Sequence, residues 1–255
     1  MNLRKLAVVF ALIAALTGFA SAQDLTVAAA ADLQFAMQDV AARFQKDSGK
    51  QVKVIYGSSG AFSQQIQNGA PFDVFFSANL DYPKQLDAAS LVEPGSMYQY
   101  ATGKLVLWAP NASPVDLGAG LKALLNPAVK KVAIANPEHA PYGKAAVAAL
   151  QKENVYDQVK DKLVLGENIS QTATFVVSGA ADVGLVALSL AISPNMKDKG
   201  RYVEVPAGDY PPIEQACVIL RSSKNKELAR KFLEFVKSPA TAELLKSYGF
   251  EVGQK

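Results

Sequence analysis

The chain is 255 residues long and half apolar, with 26 basic and 23 acidic side chains, one cysteine and one histidine. That length and apolar content bury a substantial core and exclude a disordered chain. One cysteine excludes an intramolecular disulfide and thiolate zinc sites, one histidine excludes histidine metal clusters, and the small charge excess makes nucleic acid an unsuitable partner.

The first 22 residues read as an export signal: "MNLRK" is a basic head, "LAVVFALIAALTGF" an apolar middle, and "ASA" a small-residue cleavage pattern ending at Ala22. Without Arg4 and Lys5 the basic count is 24 against 23 acidic side chains, so a mature chain beginning near Gln23 is close to neutral. No later run approaches the ~20 apolar residues of a membrane-crossing helix. No cysteine follows the cleavage pattern to carry a lipid, so the expectation is a soluble, monomeric, periplasmic protein.

Strand and helix patterns then alternate, which predicts α/β architecture with largely parallel sheet. "LTVAAA" (25–30) is a first strand, and Leu33, Met37, Val40 and Phe44 recur at helical spacing until Gly49, a C-terminal cap. "VKVIY" (52–56) is a second strand, "AFSQQIQNG" a short helix with Phe62 and Ile66 on one face, and "FDVFFS" (72–77) a third strand. "GKLVLWAP" (103–110) restarts the cycle, followed by a helix over 116–125, a strand at 131–135 and a helix from Gly143 to Glu153.

Beyond these, 171–182 reads as helix, 183–188 and 201–205 as strands, and "EQACVIL" (214–220) as a half-buried strand holding Cys217 in the core. Two closing helices are separated by Pro239, the first with Leu228, Phe232, Leu233 and Val236 on one face. The Pro- and Gly-rich "PAGDYPPI" and the strand near 103–109 suggest two crossings between two lobes, with the closing helices returning to the first lobe.

The chain has no Gly-x-x-x-x-Gly-Lys-Ser/Thr string and no Gly-x-Ser-x-Gly elbow. A Ser59 and His139 nucleophilic pair can be drawn, but nothing marks an orienting carboxylate, so binding rather than catalysis is expected. The informative stretch is "YGSSGAFSQQIQNG", where a strand ends in two hydroxyls and a glycine at the start of a helix without basic side chains. First-turn N–H groups lack intrahelical partners and sit at the positive end of the helix dipole, which suits an anion. An isolated "SSG" reads more simply as a serine cap.

Similar junctions recur at Ala31-Asp32, Tyr142-Gly143 and Ile169-Ser170-Gln171, each after a strand-like segment and two in each lobe. Ligands of open α/β sheets bind beyond the carboxyl ends of the strands. A small anion held between the lobes by neutral donors accounts for four such junctions together.

The stretches "AAAADLQFAMQDVAARF" (28–44), "SSGAFSQQIQNGAPFDVFFSA" (58–78), "GKLVLW" (103–108), "IANPEHAPYGKAA" (134–146), "SGAADVGLVAL" (178–188) and "SPATAELLKSYGF" (238–250) resemble the periplasmic molybdate-binding proteins of ABC transporters. The resemblance covers the mature chain. It implies a type II periplasmic-binding-protein fold, with a signal peptide over 1–22, lobe I over 23–102 plus 213–255, and lobe II over 103–212.

It further implies capture of molybdate or tungstate through uncharged donors, molybdenum being held as its oxyanion without direct coordination or any cofactor, and delivery to a membrane permease with its ATPase. By position the ligand shell comprises Asp32, Ser59 by hydroxyl and amide, Ala78, Tyr142 as the phenolic hydroxyl donor and the amide of Ile169; Ala187 stands where other relatives carry the tyrosine.

Asp32 departs from the serine or asparagine of many relatives, because an ionised carboxylate accepts hydrogen bonds and cannot donate them. Three resolutions are open: the carboxylate turns away and only the Asp32 amide contacts the ligand, the carboxyl is protonated in the complex, or the ligand carries a proton. The first is favoured. Competing readings are a receptor for phosphate or sulfate, a serine-dependent exported enzyme, and a purely structural exported protein.

Overall fold

A computed structural model describes residues 24–253. The export signal, its cleavage after Ala22 and the new terminus at Gln23 lie outside the described residues. The chain opens with β1 (Leu25–Ala30), a 3-10 turn over Ala31–Leu33 and α1 (Gln34–Ser48), then β2 (Val52–Gly57), α2 (Ser59–Gln67), β3 (Val74–Ser77), α3 (Asp81–Ala88) and β4 (Tyr98–Gly103). After a single residue comes β5 (Leu105–Pro110), then β6 (Val132–Ala135), α4 (Pro141–Lys152), α5 (Tyr156–Val159) and β7 (Leu163–Gly166). The remainder is α6 (Ile169–Val177), β8 (Val183–Ala187), α7 (Leu188–Ala191), β9 (Gly200–Glu204), β10 (Ile213–Ile219), α8 (Lys226–Val236) and α9 (Pro239–Ser247).

The strands form two five-stranded sheets, ordered β2-β1-β3-β10-β4 and β7-β6-β8-β5-β9. In the first, β1 runs parallel to β2 and β3, with Ala30 opposite Gly57, while β10 is antiparallel to both β3 and β4. The second repeats the plan: β6 is parallel to β7 and β8, and β5 is antiparallel to β8 and β9. The chain crosses between the sheets at Lys104 and again over 205–212.

Local chemistry accounts for the element boundaries. Gly49 ends α1 at φ 69°, a left-handed conformation available to glycine without a Cβ clash, and its N–H reaches the Gln45 carbonyl. Ser58, Asn168 and Ser238 cap α2, α6 and α9 through their side chains. Pro141 and Pro239 stand in the first turns of α4 and α9, where a missing N–H costs nothing.

The core of the first sheet packs Leu33, Met37, Val40 and Phe44 of the 3-10 turn and α1 against Phe232, Leu233 and Val236 of α8. Rings of Phe44 and Phe232 meet edge to face at 5.1 Å.

The structure differs from the sequence expectations at several elements. Residues 117–125 form 3-10 turns broken at Gly120, whose φ of 59° and ψ of −140° are not helical. The strand at 213–219 is buried everywhere except Glu214, because it lies between β3 and β4 under helices rather than half-exposed. Pro239 does not merely separate the closing helices but starts the second. The strands β4 and β7 and the helices α3, α5 and α7 are additions to the elements expected from sequence.

Candidate functional site

The carboxyl ends of β1, β2, β3, β6 and β7 point toward one small cavity between the sheets, and Asp32, Ser59, Ala78, Tyr142 and Ile169 all line it. The structure thus brings together all five residues singled out from sequence. Roughly 10 Å³ is open to the centre of a water molecule, about the room of a single water, so the cleft is nearly closed in this structure. None of the lining residues is a lysine or arginine.

The two serines of "SSG" divide the two roles between them. Ser58 is the cap: its Oγ accepts from the Ala61 amide at 3.4 Å and lies 2.8 Å from Nδ1 of His139. Ser59 is fully buried, and its Oγ accepts the Ala78 amide at 2.9 Å, so the hydroxyl hydrogen is available to the cavity. Ala78 therefore acts through Ser59 in this structure, its own N–H being taken. The pairing of Ser59 with His139 that an enzyme reading needs is not formed; His139 contacts Ser58.

Other first-turn amides are consumed in the same way. In α2 the Gly60 amide donates to the His139 carbonyl at 2.9 Å, and in α6 Asn168 Oδ1 takes the amides of Ser170 and Gln171, neither of which is the Ile169 amide. In α4 the amides of Gly143 and Lys144 go to the Ala140 carbonyl. Capping residues thereby occupy the outer amides and leave those of Ser59, Tyr142 and Ile169 at the wall, beside the positive ends of three helices.

Asp32 is the unexpected part. Its side chain does not turn away into solvent: it is 1 % exposed, and Oδ2 accepts from Gln215 Nε2 at 2.6 Å and from the Tyr142 hydroxyl at 3.0 Å. Gln215 Oε1 in turn accepts from the Tyr100 hydroxyl at 2.7 Å, giving a buried network between the sheets. The phenol of Tyr142 is thus directed at a carboxylate instead of standing free for a ligand. Oδ1 of Asp32 is buried without a hydrogen-bond partner.

Burial pushes the Asp32 carboxyl from 3.8 up to about 6, partly offset by the hydrogen bonds of Gln215 and Tyr142 and by its own and the Leu33 amides. Burial and the Asp32 charge hold the Tyr142 phenol well above its usual range.

The folded protein therefore retains a proton at Asp32 that the unfolded chain has released, and stability falls as pH rises from 3.8 through about 6. The loss approaches about 3 kcal/mol at neutral pH, since each tenfold difference in proton affinity between the folded and unfolded chain is worth ~1.4 kcal/mol. Asp32→Asn is expected to melt higher than the wild type at pH 7 without anion, the difference vanishing below about pH 4, as thermal melts across pH will test.

Further polar contacts cross the cleft that the sequence did not announce. Ser189 Oγ donates to the Asp32 carbonyl at 2.7 Å, Ser170 Oγ to Gln34 Oε1 at 2.5 Å, and Lys144 Nζ to the Tyr82 hydroxyl at 3.4 Å. The signal for Gln215 was a glutamine inside the apolar run "EQACVIL", a polar side chain that needs a buried partner.

A family model described as bacterial extracellular solute-binding protein matches residues 25–251. The molybdate-binding protein ModA of Azotobacter vinelandii is 41% identical, with 91% of each chain covered. That of Rhodobacter capsulatus is 39% identical over 98% of this chain and 96% of the relative. Among solved structures, the Azotobacter vinelandii periplasmic molybdate-binding protein superposes with a TM-score of 0.86 at 36% identity, covering 91% of this chain and 100% of its own. The chain belongs to the bacterial extracellular solute-binding protein family.

Proposed function

We propose that the chain is the solute receptor of an ABC transporter, capturing molybdate or tungstate between two lobes and presenting the closed form to a membrane permease driven by its ATPase. The observation that carries this reading is one small cavity walled by helix starts from both sheets, with neutral donors and no cationic side chain. Lobe I comprises 23–102 plus 213–255 and lobe II 103–212, the crossings acting as the hinge. The protein works in the periplasm as a monomer after cleavage at Ala22, and binds without catalysing.

Ser59 donates by hydroxyl and amide, Ile169 and Tyr142 contribute wall amides, Ala78 supports Ser59, and Asp32 completes the wall. Fixed neutral donors satisfy the oxygens of a dianion in a dry cleft, each charge-assisted bond contributing about 1.5–3 kcal/mol. Because the donors are on rigid helix starts, their spacing sorts tetrahedral anions by size. Binding favours closure because the ligand contacts both lobes only in the closed form.

A thermal-shift and calorimetric series over molybdate, tungstate, sulfate and phosphate tests the reading. Molybdate and tungstate are expected to raise the melting temperature strongly and sulfate weakly, and equal affinity for sulfate and molybdate would end the size argument. Ser59→Ala removes one donor and the acceptor of the buried Ala78 amide, and is expected to weaken molybdate binding about 10- to 100-fold. One observation favours a second reading: the buried Asp32 carboxylate is an acceptor that would suit an oxyanion bearing a proton, such as hydrogen phosphate. Tighter binding of phosphate than of molybdate would establish it.

A further inference from the structure

Within the oxyanion-receptor reading, we propose that the anion binds together with one proton, held between Oδ1 of Asp32 and an oxygen of the anion, so that Asp32 serves the closed site as a hydrogen-bond donor. The two oxygens of Asp32 are already unlike. Oδ2 accepts from Gln215 and Tyr142 and so has the surroundings of a carbonyl oxygen with both lone pairs filled. Oδ1 makes no hydrogen bond of good geometry among the described residues, the nearby amides of Asp32 and Leu33 reaching the carboxylate only weakly, is sealed from solvent, and belongs to a residue in the cavity wall. A proton there finds no acceptor among the described residues, and an anion in the cavity that Asp32 lines would supply one.

The alternative is an ionised Oδ1 against a dianion with no cation nearby, and the groups packed around Asp32 offer little to offset that repulsion. Tyr142 faces it from α4, Tyr100 from β4 through Gln215, and Ser189 from α7 through the Asp32 carbonyl. Tyr210, before β10, acts on the same phenol; all three tyrosines are held above their usual range by burial and stay neutral. His139 is engaged with Ser58 and lies 3.6 Å from Glu167, and Lys144 is turned to the ring and hydroxyl of Tyr82.

Burial, net of the hydrogen bonds that oppose it, brings the carboxyl to about 6, so little free energy is needed to protonate it near neutral pH, and an adjacent double charge supplies the rest. The proton comes from solvent, the carboxylate becomes a carboxyl group, and no bond of the oxyanion breaks. A dianion is thereby received with a net gain of one negative charge instead of two.

Calorimetric titration with sodium molybdate in buffers of high and low ionisation enthalpy counts the protons directly. The expected result at about pH 7.5 is uptake of one proton per anion, with affinity weakening about tenfold per pH unit toward pH ~8.5. Asp32→Asn keeps an acceptor for Tyr142 and Gln215 and places an N–H₂ at the Oδ1 position. It is expected to bind molybdate with no proton uptake and no pH slope. Wild-type binding without proton uptake overturns the proposal whatever the variant does, and so does an Asp32→Asn protein that keeps the slope, which would put the proton on another group. Absence of molybdate binding by the wild type is the distinct result that removes the receptor reading and this inference with it.

Discussion

Gly60→Ala is expected to lower molybdate affinity roughly a hundredfold, about 2.7 kcal/mol, while leaving the melting temperature of the anion-free protein unchanged or slightly raised. A Cβ on Gly60 would stand 2.6 Å from the His139 carbonyl oxygen, 2.9 Å from its Cα and 2.7 Å from the Tyr82 hydroxyl. The first two are backbone atoms following β6, so they cannot rotate aside as a side-chain tip does. The space is made by parting the lobes. Overpacking of this kind costs about 1–3 kcal/mol. It also breaks the Gly60 amide to His139 carbonyl bond and draws His139 away from Ser58, two of the contacts that hold the cleft shut.

With the lobes parted nothing from the other lobe would meet the new methyl, the Tyr82 hydroxyl would be a side-chain tip free to turn aside, and alanine is the better helix former in the first turn of α2. Affinity and anion-free stability therefore separate, which calorimetry and a thermal melt on the same sample will show. Unchanged affinity would mean that binding does not require the lobe approach seen here.

What the sequence made legible follows from how local the signal is. The α1 stripe of Leu33, Met37, Val40 and Phe44, the Gly49 cap and the strand-to-helix junctions are set by neighbours within one or two turns, and all lie where periodicity places them. The junctions at Asp32 and Ser59 in one lobe and at Tyr142 and Ile169 in the other lie together within each sheet because parallel strands of one sheet end on one side, a rule of topology that needs no distances; Ala78 is placed by the resemblance alone.

The strand at 98–103, "YQYATG", is hidden in the sequence because its polar and small residues lack an apolar alternation, its place being set by pairing with β10 more than a hundred residues later. The break at Gly120 is concealed inside a run whose composition suits a helix. Least visible of all is the Asp32 network. Gln215 is 183 residues away in sequence from Asp32, and the direction of a carboxylate inside a cleft depends on which distant donors reach it. The expectation that this side chain avoids the cavity rests on charge repulsion alone, without the amide and phenol that anchor Oδ2.

Phe232→Ala is expected to destabilise the protein by about 3–5 kcal/mol, a fall of roughly 10 °C in melting temperature, with molybdate affinity below the transition changing less than about threefold. The ring is wholly buried, edge to face with Phe44 at 5.1 Å and with Phe76 at 6.1 Å, and it joins α8 to both α1 and the sheet. Truncation leaves a void that these large neighbours, themselves in close contact, cannot fill without moving the helix that follows the Asp32 turn.

The loss falls on the native state as a whole because α1, α8 and β3 share this one cluster. The cavity lies at the carboxyl ends of the strands, and none of the residues lining it touches the Phe232 ring through the aromatic contacts described. Molybdate at a hundred times its dissociation constant should therefore restore about 2.7 kcal/mol to variant and wild type alike, since linkage depends only on binding to the folded form. A smaller restoration in the variant would show that α1 transmits core packing to the helix start at Asp32, and that the wall of the site is only as rigid as the aromatic cluster beneath it.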